Sequence, residues 1–331
     1  MCFNMRNILE IKDLRVSFFS NQGWVEVVSG VSISVPERST VGIVGESGCG
    51  KTVTALSVMR LIPEPPGKIE GGEILFNGID LLKLSDRQMR AIRGNRISMI
   101  FQEPISSLNP VFTVGEQIGE AIRAHNRVSR KEERERVIEL LKLVKIPEPE
   151  KRLNSYPHEL SGGMCQRVMI AMALSCNPEL LIADEPTTAL DVTIQAGILE
   201  LLNELKEKMG MSILLITHDL GIVAEIADEV YVMYAGKIVE HALTVELFNN
   251  PRHPYTVGLM ESIPGLHDTR KKLRAIPGIV PSPLDFPKGC RFQDRCSMVI
   301  DKCRVLEPPV VEFDNRHFSL CFRAEEVGQG N

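Results

Sequence analysis

The feature of this 331-residue sequence that most restricts its fold is the octapeptide GESGCGKT at residues 45–52. It fits the pattern G-x-x-x-x-G-K-[ST] and stands between a β-rich run, TVGIV, and a helical run, TALSVMRL. Glycines let backbone N–H groups curl around phosphate oxygens, and the N-terminus of the following helix adds positive potential. A nucleoside triphosphate is therefore the expected ligand of Gly45, Glu46, Ser47, Gly48, Cys49, Gly50, Lys51 and Thr52.

An acidic pair supplies the second half of the expected site. In LLIADEP, four apolar residues predict a buried strand that delivers Asp184 to its carboxyl end. Lys51 is expected to neutralise the β and γ phosphates, while Thr52 and Asp184 hold magnesium and Glu185 orients or deprotonates the attacking water. An acidic pair after a strand is by itself usually a solvated strand end, but beside a phosphate loop it predicts phosphoanhydride hydrolysis.

The order of patterns along the chain predicts an α/β fold. Strand patterns fill residues 8–45, helical spacing follows, and strands alternating with helices return at LLIADEP and SILLITHD. We predict a P-loop (RecA-like) core with a parallel sheet and an N-terminal β subdomain from residues 1–102 and 179–250, and an inserted α-helical subdomain over residues 103–178. Prolines recur in NPRHPY and PGIVPSPLDFP, which predicts a small Cys-rich C-terminal extension over residues 251–331.

Charge and hydropathy argue against two classes of protein. The net charge of −5 gives no broad positive field of the kind that drives sequence-independent nucleic-acid binding. The N-terminal MCFNMRNILEIKD lacks a signal-peptide pattern, and apolar runs such as VMIAMALS fall well short of the roughly 20 residues that span a bilayer. We therefore expect neither export nor a membrane span, so any role at a membrane would be peripheral.

A second helix start in the sequence is also suited to anions. In LSGGMCQRVMIAMAL, Ser161 is a natural N-cap, and Gly162 and Gly163 allow close backbone approach before a run of helical periodicity. By itself this segment is equally well explained as an ordinary capped helix. It becomes notable because the chain already has one anion-binding terminus in its phosphate loop.

Six motifs, in this order, resemble those of the ATP-binding subunits of ABC transporters, and the resemblance covers nearly the whole chain. GESGCGKT is similar to Walker A, Gln102 in MIFQEP to the Q-loop, LSGGM to the signature, LLIADEP to Walker B, ALD at 189–191 to the D-loop, and His218 in ITHD to the H-loop. The resemblance implies that two subunits bind head to tail and enclose ATP between them.

The resemblance also implies a role for each motif. Ser161, Gly162 and Gly163 of one subunit would complete the nucleotide site of the other, although Met164 stands where the commonest signature has glutamine. Both anion-binding termini are then explained, because each one contacts a different nucleotide.

Three further roles follow from the same resemblance. Gln102 would reach the magnesium ion and the lytic water, and His218 would contact the γ-phosphate, so both join Glu185 as catalytic residues. Phe18 would stack on adenine, with its neighbour Phe19 as the competing choice. The proline-broken segment EPISSLNPVFTV after Gln102 would line a groove for a membrane partner, or else be an ordinary surface loop.

Half of the eight cysteines form a C-x5-C-x6-C-x17-C array near the C-terminus: Cys290, Cys296, Cys303 and Cys321. Structural zinc sites usually pair ligands about two to four residues apart, so these gaps fit a zinc ribbon poorly, while four thiolates suit iron–sulfur as well as zinc. The tail, including HPYT at 253–256, resembles the C-terminal extension of the dipeptide and oligopeptide branch of ABC importers, where the array implies a [4Fe-4S] cluster. Zinc and unligated thiols stay open as alternatives.

Together these patterns predict an ATP-hydrolysing subunit that energises an ABC importer of dipeptides or oligopeptides, with ATP, Mg²⁺ and a [4Fe-4S] cluster as cofactors. Its expected partners are a second ATP-binding subunit, two integral membrane permeases and, indirectly, an extracytoplasmic solute-binding protein, but no nucleic acid. It is expected to be a peripheral protein on the cytoplasmic face of the cell membrane.

Three other classes of protein share parts of this pattern. A related importer of nickel or another small solute shares much of the same pattern. A soluble ABC ATPase acting on nucleic acid or ribosomes commonly carries tandem nucleotide domains or long coiled coils, whereas each motif occurs once here and no heptads are sustained. A regulatory GTPase would carry a guanine-reading Asn-Lys-x-Asp, which the sequence lacks.

Overall fold

The structure, a computed structural model, describes residues 6–103, 107–188, 190–263, 275–314 and 316–328. Two compact units make up the chain, the first from residues 1–82 and 215–331 and the second from residues 83–214. The predicted three-part division, with its own C-terminal extension, stays a prediction. Ala189 of the D-loop motif and residues 104–106 of EPISSLNPVFTV lie outside the described residues.

The first unit opens with an antiparallel sheet. Its elements are β1 (Asn7–Ser20), β2 (Gly23–Pro36), β3 (Thr40–Val44), α1 (Lys51–Val58), β4 (Gly67–Phe76) and β5 (Ile79–Asp80). Four of these strands pair in the order β2-β1-β4-β5, while β3 belongs to another sheet. In β1 the alternation that predicted a strand is confirmed: Leu9 and Ile11 are buried, a register shift follows, and Leu14 and Val16 are buried beyond it.

The second unit is mostly helical. It contains α2 (Asp86–Ile92), β6 (Ile97–Ile100), α3 (Val114–His125), α4 (Arg130–Leu143), α5 (Pro149–Arg152), α6 (Gly162–Ala173), β7 (Leu180–Asp184) and α7 (Val192–Met209). Strands β6 and β7 pair in parallel. Helices α3 and α4 start at capping boxes, in which Thr113 and Ser129 accept the backbone N–H three residues ahead and so satisfy a donor that the helix leaves unpaired.

The rest of the chain returns to the first unit. After β8 (Ser212–Thr217), which crosses from one unit to the other, come α8 (Leu220–Ile226), β9 (Glu229–Tyr234), β10 (Lys237–Leu243), α9 (Thr244–Asn249), α10 (Pro254–Glu261), α11 (Asp301–Val305), β11 (Val310–Phe313) and β12 (His317–Leu320). Within the described residues, no helix combines the length and the apolar character that a bilayer crossing requires.

The sheet that carries the phosphate loop is mixed, so the prediction of a parallel sheet is wrong in part. Strand β3 pairs in parallel with β9, as predicted, but β9, β10, β12 and β11 pair antiparallel in that order. The reason lies in the connection: Ala235 and Gly236 both have positive φ angles and join β9 to β10 in a tight turn. A two-residue turn can join only antiparallel neighbours, whereas a parallel pair needs a long crossover.

A fully buried carboxylate fastens the C-terminal strands to this sheet. Glu240 of β10 has no exposed surface and pairs with Ser319 of β12. It accepts hydrogen bonds from the backbone N–H groups of Arg252 at 2.5 Å and His253 at 3.0 Å, and it lies 2.8 Å from Nε2 of His317. Burying a charge is costly unless it is paired and hydrogen-bonded, and here three partners surround it.

Replacing Glu240 with alanine should destabilise the protein, because it leaves those buried donors unsatisfied. We expect a loss of about 3–5 kcal/mol in the free energy of unfolding, measured by urea denaturation. Glu307→Ala is the matched control: it removes the half-exposed ion pair with Lys237 and should cost no more than about 1 kcal/mol. Equal losses from both substitutions would contradict this account.

Candidate nucleotide-binding site

The predicted phosphate loop connects the buried strand β3 to helix α1. Gly45, Gly48 and Gly50 have φ angles of +155°, +80° and +105°. A Cβ atom on Gly45 would lie 2.1 Å from the carbonyl oxygen of Met233, at the end of β9, which is closer than real contacts allow. Position 45 therefore requires glycine, and this close approach fixes where the loop leaves the sheet.

Lys51 is the first residue of α1, and its side chain turns back into the loop. Its Nζ donates to the carbonyl oxygens of Gly45 at 2.7 Å and Glu46 at 3.0 Å. The lysine is buried, while Thr52 beside it is exposed on the first turn of the helix. An ammonium group and a helix N-terminus together make a concentrated positive site, which is what a polyphosphate requires.

Cys49 is buried within the loop, where its Sγ accepts a hydrogen bond from Nζ of Lys51 at 3.9 Å. The side chain is 1% exposed, and burial raises the pKa of the thiol while Lys51 acts in the opposite direction. The carbonyl oxygen of Cys49 accepts the N–H of Gly236 at 2.9 Å. The turn between β9 and β10 is thus hydrogen-bonded to the loop.

The second unit brings two predicted catalytic residues into contact. Asp184 is the buried last residue of β7, and Glu185 follows it with a φ angle of +47°. Oε2 of Glu185 accepts a hydrogen bond from Nε2 of Gln102 at 3.0 Å and another from Oγ1 of Thr188 at 2.8 Å. A positive φ is uncommon at a non-glycine residue, so the surroundings must hold Glu185 in this conformation.

The signature segment starts helix α6 in the second unit. Ser161 is exposed and caps the helix, since its Oγ accepts the N–H of Met164 at 3.3 Å. Gly162 and Gly163 form the first turn, and a Cβ atom on Gly163 would come 2.7 Å from Cγ2 of Ile194. The start of α6 therefore packs closely against Ile194 at Gly163, while its cap residue Ser161 is open to solvent.

The remaining predicted nucleotide contacts belong to the first unit. His218 is exposed directly after β8. Phe18 is half-buried and packs near Gly67, while Phe19 is 59% exposed and meets the ring of Trp24 edge-on at 5.5 Å.

The four C-terminal cysteines form no disulfide with one another and lie near one another. Burial raises the pKa of Cys290 to about 12 and that of Cys321 to about 11, and the charges of neighbouring thiolates in the array add to both effects. The sulfur atoms of Cys296 and Cys321 each accept the backbone N–H two residues ahead at 3.4 Å.

The predicted metal site is not supported by this arrangement. Over the described residues, no group of three or more His, Cys, Asp or Glu side chains is placed to hold a metal ion. The thiols are close enough for their charges to affect one another. The sequence spacing indicated that the cysteines belong together but not how far apart their sulfur atoms lie.

Two contacts to the phosphate loop were not predicted from the sequence. Arg295, next to Cys296, forms an ion pair with Glu46, and the hydroxyl of Tyr255 also contacts the loop. The HPYT motif carries a family resemblance but no local signal of this contact, and no local pattern links an arginine to a carboxylate 249 residues away.

Comparison with protein families gives two matches within the chain. The family described as "ABC transporter" matches residues 28–188, and the family described as "Oligopeptide/dipeptide transporter, C-terminal region" matches residues 239–303. The first match contains the phosphate loop, the signature helix and the acidic pair, and the second ends at Cys303.

Similar proteins match over almost their full lengths. "Probable peptide ABC transporter ATP-binding protein y4tR" of Sinorhizobium fredii is 54% identical over 97% of this chain and 96% of its own. "Oligopeptide transport ATP-binding protein AppD" of Bacillus subtilis is 50% identical over 98% of this chain and 99% of its own. "Oligopeptide transport ATP-binding protein OppD" of the same organism is 52% identical over 94% of this chain and 87% of its own. The ATP-binding cassette MJ0796, solved as a dimer bound to ADP and Pi, is 28% identical with a TM-score of 0.64, over 71% of this chain and 98% of its own.

Gly45→Ala should weaken ATP binding strongly, because the added methyl group pushes the loop away from the carbonyl of Met233. Overpacking of this kind costs about 1–3 kcal/mol, so we expect the Kd for a fluorescent ATP analogue to rise about 5- to 150-fold. Gly71→Ala is the control, since no atom lies within 4 Å of its Cβ position. Wild-type affinity in Gly45→Ala would show that the loop does not depend on this contact.

Proposed function

The chain belongs to the family of ABC transporter ATP-binding proteins, and we propose that it is the ATP-hydrolysing subunit of an importer of dipeptides or oligopeptides. The observation that carries the hydrolysis step is the hydrogen bond between Gln102 and Glu185, which joins two residues 83 positions apart beside a strained backbone. A carboxylate held in this way is suited to act on a water molecule.

We assign the phosphate contacts to the loop that precedes α1. Lys51 neutralises the β and γ phosphates, and the backbone N–H groups of Ser47, Gly48 and Gly50 bind phosphate oxygens. Magnesium would offset the charge of the phosphates, and Thr52, Gln102 and Asp184 are the residues that we assign to it from the motifs. This assignment rests on the motifs and on the buried ammonium group within the loop.

Glu185 is the proposed general base, and Gln102 orients both this carboxylate and the water that attacks the γ-phosphate. The hydrogen bond from Thr188 to the same Oε2 atom limits the rotation of the carboxylate. His218 is assigned to the γ-phosphate, and Phe18, or Phe19 in its place, to the adenine ring. An active site that fixes its base in advance loses less entropy when substrate binds.

The signature helix is assigned to a second ATP-binding subunit's nucleotide. Ser161, Gly162 and Gly163 present an exposed, capped helix start, which is an anion-binding terminus. The solved cassette that resembles this chain is described as a dimer bound to ADP and Pi, which supports a paired arrangement. Two such subunits, the same or homologous, would then enclose ATP head to tail.

The transported solute and the partners are inferred from the relatives. Relatives at about half identity are named as peptide and oligopeptide transport proteins, and the C-terminal family match carries the same description. We therefore favour peptides over nickel or another small solute. Two membrane permeases and an extracytoplasmic solute-binding protein complete the proposed importer, with this chain at the cytoplasmic face of the membrane.

The hydrolysis proposal is tested by Glu185→Gln. The amide cannot accept a proton, so we expect ATP binding within about twofold of wild type and a fall in kcat of about 10²–10⁴. Glu200→Gln, at an exposed position of α7, is the control and should leave both quantities unchanged. A Glu185→Gln variant that retains most of its ATPase activity would remove Glu185 from the role of base.

We also propose that Cys290, Cys296, Cys303 and Cys321 hold a [4Fe-4S] cluster. Each cysteine of such a cluster bonds a different iron, so its sulfur atoms lie farther apart than four ligands of one ion. The proposal is supported by the four-cysteine array itself and by the effect of the neighbouring thiolates on the pKa of Cys290. Backbone N–H groups that donate to sulfur, as at Cys296 and Cys321, stabilise thiolate ligands.

Iron and sulfide analysis of anaerobically purified protein tests the cluster. We expect about four iron atoms and four sulfide ions per chain, with a brown colour that Cys296→Ser abolishes. Cys176→Ser, which lies outside the array, should leave the colour and the iron content unchanged. Stoichiometric zinc in place of iron would contradict the proposal.

A further inference from the structure

A carboxylate inside the phosphate loop is held by two residues of the C-terminal region. Glu46 accepts hydrogen bonds from Nη1 of Arg295 at 2.6 Å and from Nη2 at 2.9 Å, so the guanidinium grips both carboxylate oxygens. The backbone N–H of Glu46 donates to the hydroxyl of Tyr255 at 2.9 Å. Both the side chain and the main chain of this loop residue are therefore fixed from outside the loop.

Arg295 is itself firmly anchored. Its side chain is 4% exposed, against 33% for Glu46, and its Nε donates to the carbonyl oxygen of Pro277 at 2.8 Å. The guanidinium carbon lies 5.7 Å from the centre of the Tyr234 ring. A planar, anchored guanidinium sets both the position and the orientation of the carboxylate that it grips.

An aromatic cluster supports the same contact from the side of the sheet. The rings of Tyr234, Tyr255 and Phe292 lie 4.6–5.3 Å apart, and all three side chains are buried. His253 caps the helix that carries Tyr255, since its Nδ1 accepts the N–H of Tyr255 at 3.1 Å. The hydroxyl of Tyr255 that contacts Glu46 is thus held in place by a buried ring and a capped helix.

A second arginine of the same segment contacts the turn between β9 and β10. Arg291 donates to the carbonyl oxygen of Ala235 and, at 2.9 Å, to Oγ of Ser29. The next residue, Gly236, donates its N–H to the carbonyl oxygen of Cys49 in the loop. Arg295, next to Cys296, therefore contacts the loop directly, and Arg291, next to Cys290, contacts it through the turn between β9 and β10.

We propose that Arg295 is a positioning residue for nucleotide binding, which acts by neutralising and orienting Glu46 so that the phosphate loop accepts a polyphosphate. The segment of residues 289–303 then acts on ATP affinity through this arginine. An unpaired carboxylate in an anion-binding loop would repel the phosphates, and the ion pair removes that repulsion. The inference rests on the proposed binding of ATP by this loop.

The experiment is a double-mutant cycle of Arg295→Met and Glu46→Gln, measured by the Kd for a fluorescent ATP analogue with Mg²⁺ and by KM and kcat for ATP. Arg295→Met alone should raise Kd and KM about tenfold and leave kcat within about twofold, because saturating ATP overcomes a binding defect. In the Glu46→Gln background the same substitution should change Kd by no more than about twofold, because no carboxylate is left to repel ATP.

Two controls separate positioning from general stability. Arg304→Met removes an exposed arginine next to Cys303 and should leave Kd and KM unchanged. Arg295→Lys keeps a positive charge and should recover part of the lost affinity, although it cannot grip both oxygens. If Arg295→Met does not fold, the double variant should fold again, since it no longer contains the unpaired carboxylate.

The outcomes that would overturn the inference are distinct from those that would overturn the proposed function. A wild-type protein that binds no ATP would end the proposed function itself. Wild-type binding, with Arg295→Met at unchanged Kd or with additive effects of the two substitutions, would end only the positioning role of Arg295. Failure of both the single and the double variant to fold would also contradict it.

Discussion

The position of the phosphate loop in the first unit depends on one close backbone approach, that of Gly45 to the carbonyl of Met233. This contact places the start of the phosphate loop against the end of β9. In the turn after β9, the N–H of Gly236 donates a hydrogen bond to the carbonyl oxygen of Cys49, further along the loop. With the loop held at both ends, Lys51 can fold back onto it and concentrate positive charge at the start of α1. The position of the loop therefore depends on strand packing as well as on the loop sequence.

The C-terminal region makes further contacts to the phosphate loop and to the sheet beside it. Strand β12 pairs with β10, next to the turn that supports the loop, and the buried Glu240 fastens the two together. Arg295 and Tyr255 then reach the loop at Glu46. A cluster held by the neighbouring cysteines would fix these contacts by ordering a proline-rich segment that has little regular structure of its own.

Local patterns were enough to predict the parts of the fold that depend on neighbouring residues. Apolar runs predicted the buried strands β3, β7 and β8, and the loop motif predicted the strand–helix junction at Lys51. The antiparallel edge of the sheet was missed because a tight turn at Ala235 gives no signal of strand order over long distances. The pairing of Arg295 with Glu46 was missed for the same reason, since ion pairs between distant segments leave no periodicity in sequence.

The most direct test of this account is a structure of the chain with a nonhydrolysable ATP analogue and Mg²⁺. The account predicts that the phosphates lie against the backbone N–H groups of residues 47–51, and that Nζ of Lys51 leaves the carbonyl oxygens of Gly45 and Glu46 for the β and γ phosphates. A nucleotide bound elsewhere, or a Lys51 side chain that stays on those carbonyls with the analogue in place, would contradict it.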